Sequence, residues 1–267
     1  MDLIDIDGTQ LEVLQIAPPE PGHALAPIVF LHEGLGSMAM WQGREGSWPQ
    51  AVCRATGRGG IVYSRRGYGQ SQPVADVRGA GRLGADYMHL EAFKVLPELL
   101  RVMGIERPVL LGHSDGGSIA LLHASRHPVQ ACMVMAPHVT VEEVSLESIR
   151  QARTAWEVGG MRVGGLRERL ARYHGDVDGA FWQWNDVWLS EAFRSFDIRG
   201  DCRRITAPVL ALQGEDDVYG TMAQIEQIAP TQGSFQMHKL PACGHSPHRD
   251  QPARTLEIVR DFLLGQS

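Results

Sequence analysis

The sequence predicts an α/β fold, a mostly parallel twisted sheet with helices on both faces and a helical insertion over it. Largely apolar runs of strand length recur along the chain: "LEVLQIA", "PIVFLH", "GIVYS", "PVLLG", "ACMVMA", "PVLALQG" and "SFQMHKL". Longer segments with helical spacing lie between many of them. A strand covered on both faces reads as an unbroken apolar run, and parallel neighbours need crossover connections, usually helices. At 267 residues, 43% hydrophobic and 21% charged, the chain suits one domain with a sizeable core and a modest insertion.

The first segment, "MDLIDIDGTQLEVLQIA", is acidic and alternates apolar with polar residues. It has neither the positive start nor the unbroken apolar core of a secretory signal. No run approaches the roughly 18 apolar residues of a membrane span. Cys53, Cys132, Cys202 and Cys243 are widely spaced with no C-x-x-C pair, which argues against a zinc site and a disulfide scaffold. The expectation is a cytoplasmic protein with reduced thiols. The net charge of −6 and the scattered Lys and Arg, with "SRRG" the nearest thing to a basic cluster, point away from nucleic acid and anionic membranes. A small molecule is the expected partner, and oligomeric state is not legible.

In "DYMHLEAFKVLPELLRVMG", Leu90, Phe93, Leu96, Leu99 or Leu100, and Met103 mark one helix face, with a kink or break expected at Pro97. "GSIALLHASRHP" predicts a shorter helix closed by Pro128. "RTLEIVRDFLLG" predicts a last helix with Leu256, Val259, Phe262 and Leu263 on its buried face. The strand-helix alternation lapses from about His138 to Arg204. That stretch is helical in character and holds Trp156, Trp182, Trp184 and Trp188, with "GGMRVGG" as a flexible joint. The expected division is a core of residues 1–137 and 205–267 with a helical cap at 138–204.

The sharpest signal is "VLLGHSDGGSIAL". Gly112-His113-Ser114-Asp115-Gly116 fits G-x-S-x-G between an apolar strand and a helix. A serine on so tight a corner has a strained backbone, so the positions two before and two after must lack side chains. Its hydroxyl then stands at a helix start, where backbone N–H groups favour developing negative charge. The bland alternative is a turn with an N-capping serine. A serine nucleophile needs a base and an orienting acid. "GEDD" puts Asp216 and Asp217 in the turn after one strand, and "PACGHSPHRDQP" puts His245 in the loop after the next. Ser114, Asp217 and His245 thus all fall at carboxyl ends of strands, where open α/β sheets place their sites. In "PIVFLHEGLGSMAMW" the N–H of Gly34 could pair with that of Asp115 to hold an oxyanion.

Four segments together, "FLHEGLG", "YSRRGYGQS", "GHSDGG" and "GEDD"…"GHSPH", resemble the α/β-hydrolase family over essentially the whole chain. The resemblance implies a serine hydrolase fold with Ser114 as nucleophile, Asp217 as acid and His245 as base, and no metal or organic cofactor. The chain departs from the family pattern in three places. The usual His-Gly pair reads His32-Glu33, with Gly34 displaced by one. The D-x-R-G-x-G-x-S turn has Ser64 in place of the aspartate. "VYGT" follows the acid where a proline is common. "SDGG" resembles the elbow of valacyclovir hydrolase-like esterases, which implies that Asp115, with Glu33 nearby, receives a substrate ammonium. The alternative has Asp115 capping an N–H of its own helix.

In the inserted segment Trp184 and Trp188 share a helix face with Phe181 one step earlier, and they either line the pocket or dock the segment on the sheet. His138 follows a strand end and either faces the site or is structural. The function expected is cleavage of a small carboxylic ester, aryl or amine-bearing, through an acyl-enzyme. A thioesterase acting on acyl-CoA and a C–C bond hydrolase would use the same residues. A non-enzymatic binding protein is the reading from a different class.

Overall fold

The computed structural model describes residues 2–20, 25–43, 46–159, 162–228 and 233–265. Eight strands form the main sheet: β1 (Asp2–Ile6), β2 (Thr9–Ile16), β3 (Ile28–Leu31), β4 (Gly60–Tyr63), β5 (Val109–His113), β6 (Ala131–Met135), β7 (Val209–Gly214) and β8 (Phe235–Leu240). They lie in the order β1-β2-β4-β3-β5-β6-β7-β8. Pairing is antiparallel from β1 to β2 and from β2 to β4, and parallel from β4 through β8. Every residue of β3 to β7 is buried, as apolar runs in a parallel sheet require. β1 folds back onto β2 through Asp7-Gly8, both at positive φ, the two-residue hairpin that an Asp-Gly pair favours.

The strand side chains alternate between two apolar cores. Val29, Leu31, Leu110 and Val134 face one side, where α2 (residues 87–102) and α3 (Asp115–Ala124) pack with Leu96, Leu99 and Ile119. Ile28, Phe30, Leu111 and Met133 face the other. There α1 (Trp48–Thr56) and the C-terminal helix Pro252–Leu264 pack with Val52, Val259 and Phe262. Helix α2 does not break at Pro97. Its distortion falls one turn earlier, as a π-helical turn over Glu91–Val95, and Pro97 sits in the first turn of the segment that follows. A proline ring clashes with the carbonyl four residues back, here that of Phe93, and a widened turn makes room for it.

Between β6 and β7 the described residues form α4 (Glu143–Gly159), α5 (Leu166–Ala171), α6 (Val177–Trp188) and two short turns of helix, Glu191–Ser195 and Arg199–Cys202. Asp176 caps α6 by accepting from Gly179 N–H. Phe181, Trp184 and Trp188 occupy its buried face. Trp156 of α4 stacks on Phe181 at 3.9 Å, fastening the two helices together. Two residues of the expected Gly-rich joint, 160 and 161, lie outside the described residues.

Candidate active site

Ser114 lies between β5 and α3 at φ 53° and ψ −121°, a conformation a non-glycine residue holds only under constraint. The glycines around it are steric necessities. A Cβ on Gly112 would stand 2.1 Å from the carbonyl oxygen of Gly116, and one on Gly116 would stand 2.2 Å from that of Leu31. The Ser114 side chain makes no capping hydrogen bond, so the N-cap alternative fails. The N–H of Asp115 opens α3 and, as a first-turn donor, has no acceptor within the helix.

Across the same sheet edge, Asp217 and His245 are joined. His245 Nδ1 lies 2.9 Å from both carboxylate oxygens of Asp217. Asp217 also accepts from Tyr219 N–H at 2.8 Å and from Gln213 Nε2 at 2.7 Å. Burial alone would push this carboxyl up. The imidazole, and after it the Tyr219 N–H, hold it below its ordinary value. With Nδ1–H donating to Asp217, the proton-accepting lone pair of His245 is on Nε2. Asp216 is exposed beside it and takes no part.

The turn after β3 is fixed through its carbonyls. His32, neutral because burial depresses its basicity, donates Nδ1–H to Glu33 O at 2.7 Å and accepts Arg65 N–H at Nε2. Buried Arg65 adds Nη1–H to His32 O and Nη2–H to Glu33 O. In a trans peptide the next N–H points opposite to the carbonyl, so anchoring Glu33 O turns Gly34 N–H to the other side. A Cβ on Gly34 would stand 2.3 Å from Trp184 Nε1, so the indole lies directly over the turn. Below it, Ser64 Oγ donates to the buried carboxylate of Glu12 at 2.6 Å and accepts Met38 N–H. Glu12 also takes Gln70 N–H, and Gly69 at φ 58° has no room for a Cβ against it. The carboxylate missing at position 64 is thus supplied from β2.

Ser114, Gly34, Glu33, Asp115, His138, Trp184, Trp188 and His245 border one cavity of about 140 Å³. No hydrogen bond joins Ser114 Oγ to His245. The serine hydroxyl instead lies 3.4 Å from His138 Nε2. Asp115 does not cap its helix. It is 1% exposed, and its Oδ2 accepts the Tyr87 hydroxyl at 2.5 Å. Its Oδ1 and the nearby Trp188 indole N–H are both buried, yet no aligned hydrogen bond joins them. Burial pushes this carboxyl up, moderated by Arg65 and Tyr87. Glu33 borders the cavity with Oε1 3.3 Å from Arg249 Nη2, while Oε2 lies 3.5 Å from His113 Nδ1, which makes no hydrogen bond. Its charge is therefore answered from within the protein. A larger cavity of about 490 Å³ lies behind Tyr87 and Arg65, away from Ser114.

The model of the alpha/beta hydrolase family matches residues 28–258, which span β3 to the last helix. The chain belongs to the alpha/beta hydrolase family. This hydrolase is 25% identical to the mouse sn-1-specific diacylglycerol lipase ABHD11 over 91% of its own length and 82% of the lipase. Its fold matches the enol-lactonase of Burkholderia xenovorans with a TM-score of 0.70 at 21% identity, covering 98% of this chain and 99% of that one. It also matches a thermophilic esterase of Thermogutta terrifontis with a TM-score of 0.71 at 19% identity, over 99% and 97% of the two chains. Among its described residues no helix is long and apolar enough to cross a membrane, and no cluster of three or more His, Cys, Asp or Glu is placed to hold a metal ion.

Sequence reasoning missed several residues that build this hydrolase's site: Glu12, Tyr87, Gln213 and the two-carbonyl grip of Arg65. Only Arg65 lay in one of the four segments that carry the family resemblance; the others lay in runs quoted for their strand or helix pattern alone. The others act from separate elements, and no local pattern marks them.

Proposed function

We propose that the protein cleaves a small carboxylic ester through an acyl-enzyme formed on Ser114. Turning the serine O–H toward His245, with Oγ kept beside His138, presents its proton to the base. Oγ attacks the acyl carbon and its proton passes to His245 Nε2, with Asp217 holding the imidazolium. His245 then gives that proton to the departing alcohol as the ester C–O bond breaks. Water, activated by the same nitrogen, releases the acid. The N–H groups of Gly34 and Asp115 receive the oxyanion, and the helices of residues 138–204 act as a cap that shields the site.

The observation that carries this reading is a strained serine in one cavity with a His-Asp pair whose proton-accepting nitrogen is free. Cavity size supports a small acyl group, since a void of about 150 Å³ accommodates roughly one benzene ring. The amine-bearing reading rests on Asp115 alone, because Glu33 is already paired with Arg249. A substrate ammonium would give the unpartnered Oδ1 of Asp115 an ion to bind.

The test is a steady-state panel of acetyl, butyryl and aryl esters, an α-amino acid ester and an aryl-CoA thioester. Turnover should fall by at least about 10⁴-fold in Ser114→Ala. A preference for neutral acetyl or aryl esters that survives Asp115→Asn is the expected result. A preference for the amino ester that Asp115→Asn abolishes would establish amine recognition, and fastest turnover of the thioester would make the protein a thioesterase. No serine-dependent turnover of any of them would overturn the ester reading.

A further inference from the structure

His138 stands against the nucleophile in a way that neither the Asp217–His245 pair nor the oxyanion turn accounts for. Its Nε2 is 3.4 Å from Ser114 Oγ, while its Nδ1 is buried with no hydrogen-bond partner. The ring is held edge-on to Trp188 at a centroid distance of 4.8 Å, and it lies 5.9 Å from His245. Its backbone is gripped on both polar groups by one hydroxyl. Ser118 Oγ donates to His138 O at 2.7 Å and accepts His138 N–H at 2.9 Å. Ser118 sits one helical turn after Ser114 on α3, so the helix that carries the nucleophile also fixes the second imidazole. The chain reaches His138 through Ala136, held at φ 47° with its N–H on Leu212 O. A left-handed alanine costs about 1 kcal/mol or more, and strain of this kind persists where surrounding structure imposes it.

We infer that His138 is a standing hydrogen-bond donor to the nucleophile, its Nε2–H directed at Ser114 Oγ. The inference rests on Ser114 being the nucleophile. A neutral imidazole has one N–H, and burial keeps this ring neutral. With the proton on Nδ1, the ring would bury a donor with no acceptor and would claim the serine's only proton. His245, whose Nδ1–H is held by Asp217, offers its Nε2 for that proton. With the proton on Nε2, Oγ accepts from His138 and keeps its own proton for His245. The bond strengthens whenever Oγ gains negative charge, first as it attacks the acyl carbon and again as it leaves the acyl-enzyme.

The test uses diisopropyl fluorophosphate, which reports on Ser114 without depending on the natural substrate, together with ¹⁵N NMR of the histidine side chains. In the wild-type protein His138 should show the Nε2–H tautomer. His138→Phe should slow phosphorylation of Ser114, in which the serine oxygen displaces fluoride, by about 10- to 100-fold. It should also slow both the burst and the steady phase of p-nitrophenyl acetate turnover. His138→Gln, which keeps an N–H within reach of Oγ, should recover most of the loss at a similar melting temperature. An Nδ1–H tautomer would overturn the inference. So would phosphorylation that is unchanged or faster in His138→Phe, or a Gln variant as slow as the Phe variant. If the wild-type protein itself shows no reaction that Ser114→Ala removes, the nucleophile assignment fails instead.

Discussion

Two buried aspartates lie at the candidate site, and their surroundings treat them in opposite ways. Asp217 meets an imidazole N–H, a backbone N–H and a side-chain amide, and its carboxyl is held below the ordinary range. Asp115 meets one phenol hydroxyl and an indole N–H that misses alignment, and its carboxyl is pushed up. Burial penalises both charges; the number of aligned donors decides which way each one moves. Pairs of titratable groups driven apart in this way mark where a site divides its labour. In the proposed reaction Asp217 stays charged behind the base, whereas Asp115 offers its backbone N–H and carries a carboxyl that is costly to ionise.

The sharpest way to break the comparison is Asp217→Asn. An amide offers His245 Nδ1–H a weaker acceptor or a competing donor, so the proton shifts toward Nε2 and the base is lost. The expected fall in kcat is about 10⁴-fold. Stability should change with a defined sign as well. A carboxyl lowered on folding contributes stability above its unfolded value and loses it as pH falls through the folded one. Wild-type protein should therefore lose more stability on acidification than Asp217→Asn does, as urea unfolding at pH 7 and pH 3 would measure. Equal losses would mean that Asp217 is not held charged by its neighbours.

Asp115 tests the other half through Tyr87→Phe. The 2.5 Å hydroxyl bond favours the ionised carboxylate, and a hydrogen bond to a charged group contributes about 1.5–3 kcal/mol. Because folding raises this carboxyl, the native state binds its proton more tightly than the unfolded chain does. Stability from Asp115 therefore declines as pH rises from the ordinary carboxylate range through the raised value. Removing the phenol should steepen that decline, making Tyr87→Phe more destabilising at pH 7 than at pH 4. A penalty independent of pH would show that Asp115 stays protonated and that the phenol serves only packing.

How much of this the sequence carried follows the same division. The parallel sheet was legible because strands buried on both faces leave unbroken apolar runs, and the elbow because its glycines answer to backbone oxygens only 2.1–2.2 Å from where a Cβ would be. Ser114, Asp217 and His245 could be singled out as candidates because each lies in the turn or loop that follows a strand. The donor to Asp115 could not, nor could the acid that stands in for the aspartate at position 64. Tyr87 lies 28 residues before Asp115 on another helix, and Glu12 lies 52 residues before Ser64. Such pairings exist only once the chain has folded. Pro97 was legible as a disturbance but not as to its form, since the widened turn depends on how the preceding residues pack.

A third acid, half-buried, extends the series and carries the smallest expected effect. Glu91, in the π-helical turn of α2, borders the larger cavity with Oε2 buried and unpartnered. Burial pushes its carboxyl from about 4.5 to about 7, with Arg65 moderating the rise. The sign is that of Asp115: stability is highest at acid pH and declines as pH climbs through this window. Glu91→Gln keeps the shape and removes the ionisation. Above pH 7 it should be more stable than wild type by on the order of 1–2 kcal/mol, discounted from the full shift because the residue is only partly buried. At pH 4.5 the two proteins should unfold at nearly the same urea concentration. A gain that persists at pH 4.5 would mean that Glu91 is unfavourable for a reason other than its charge, and aligned donors would no longer explain how the three acids differ.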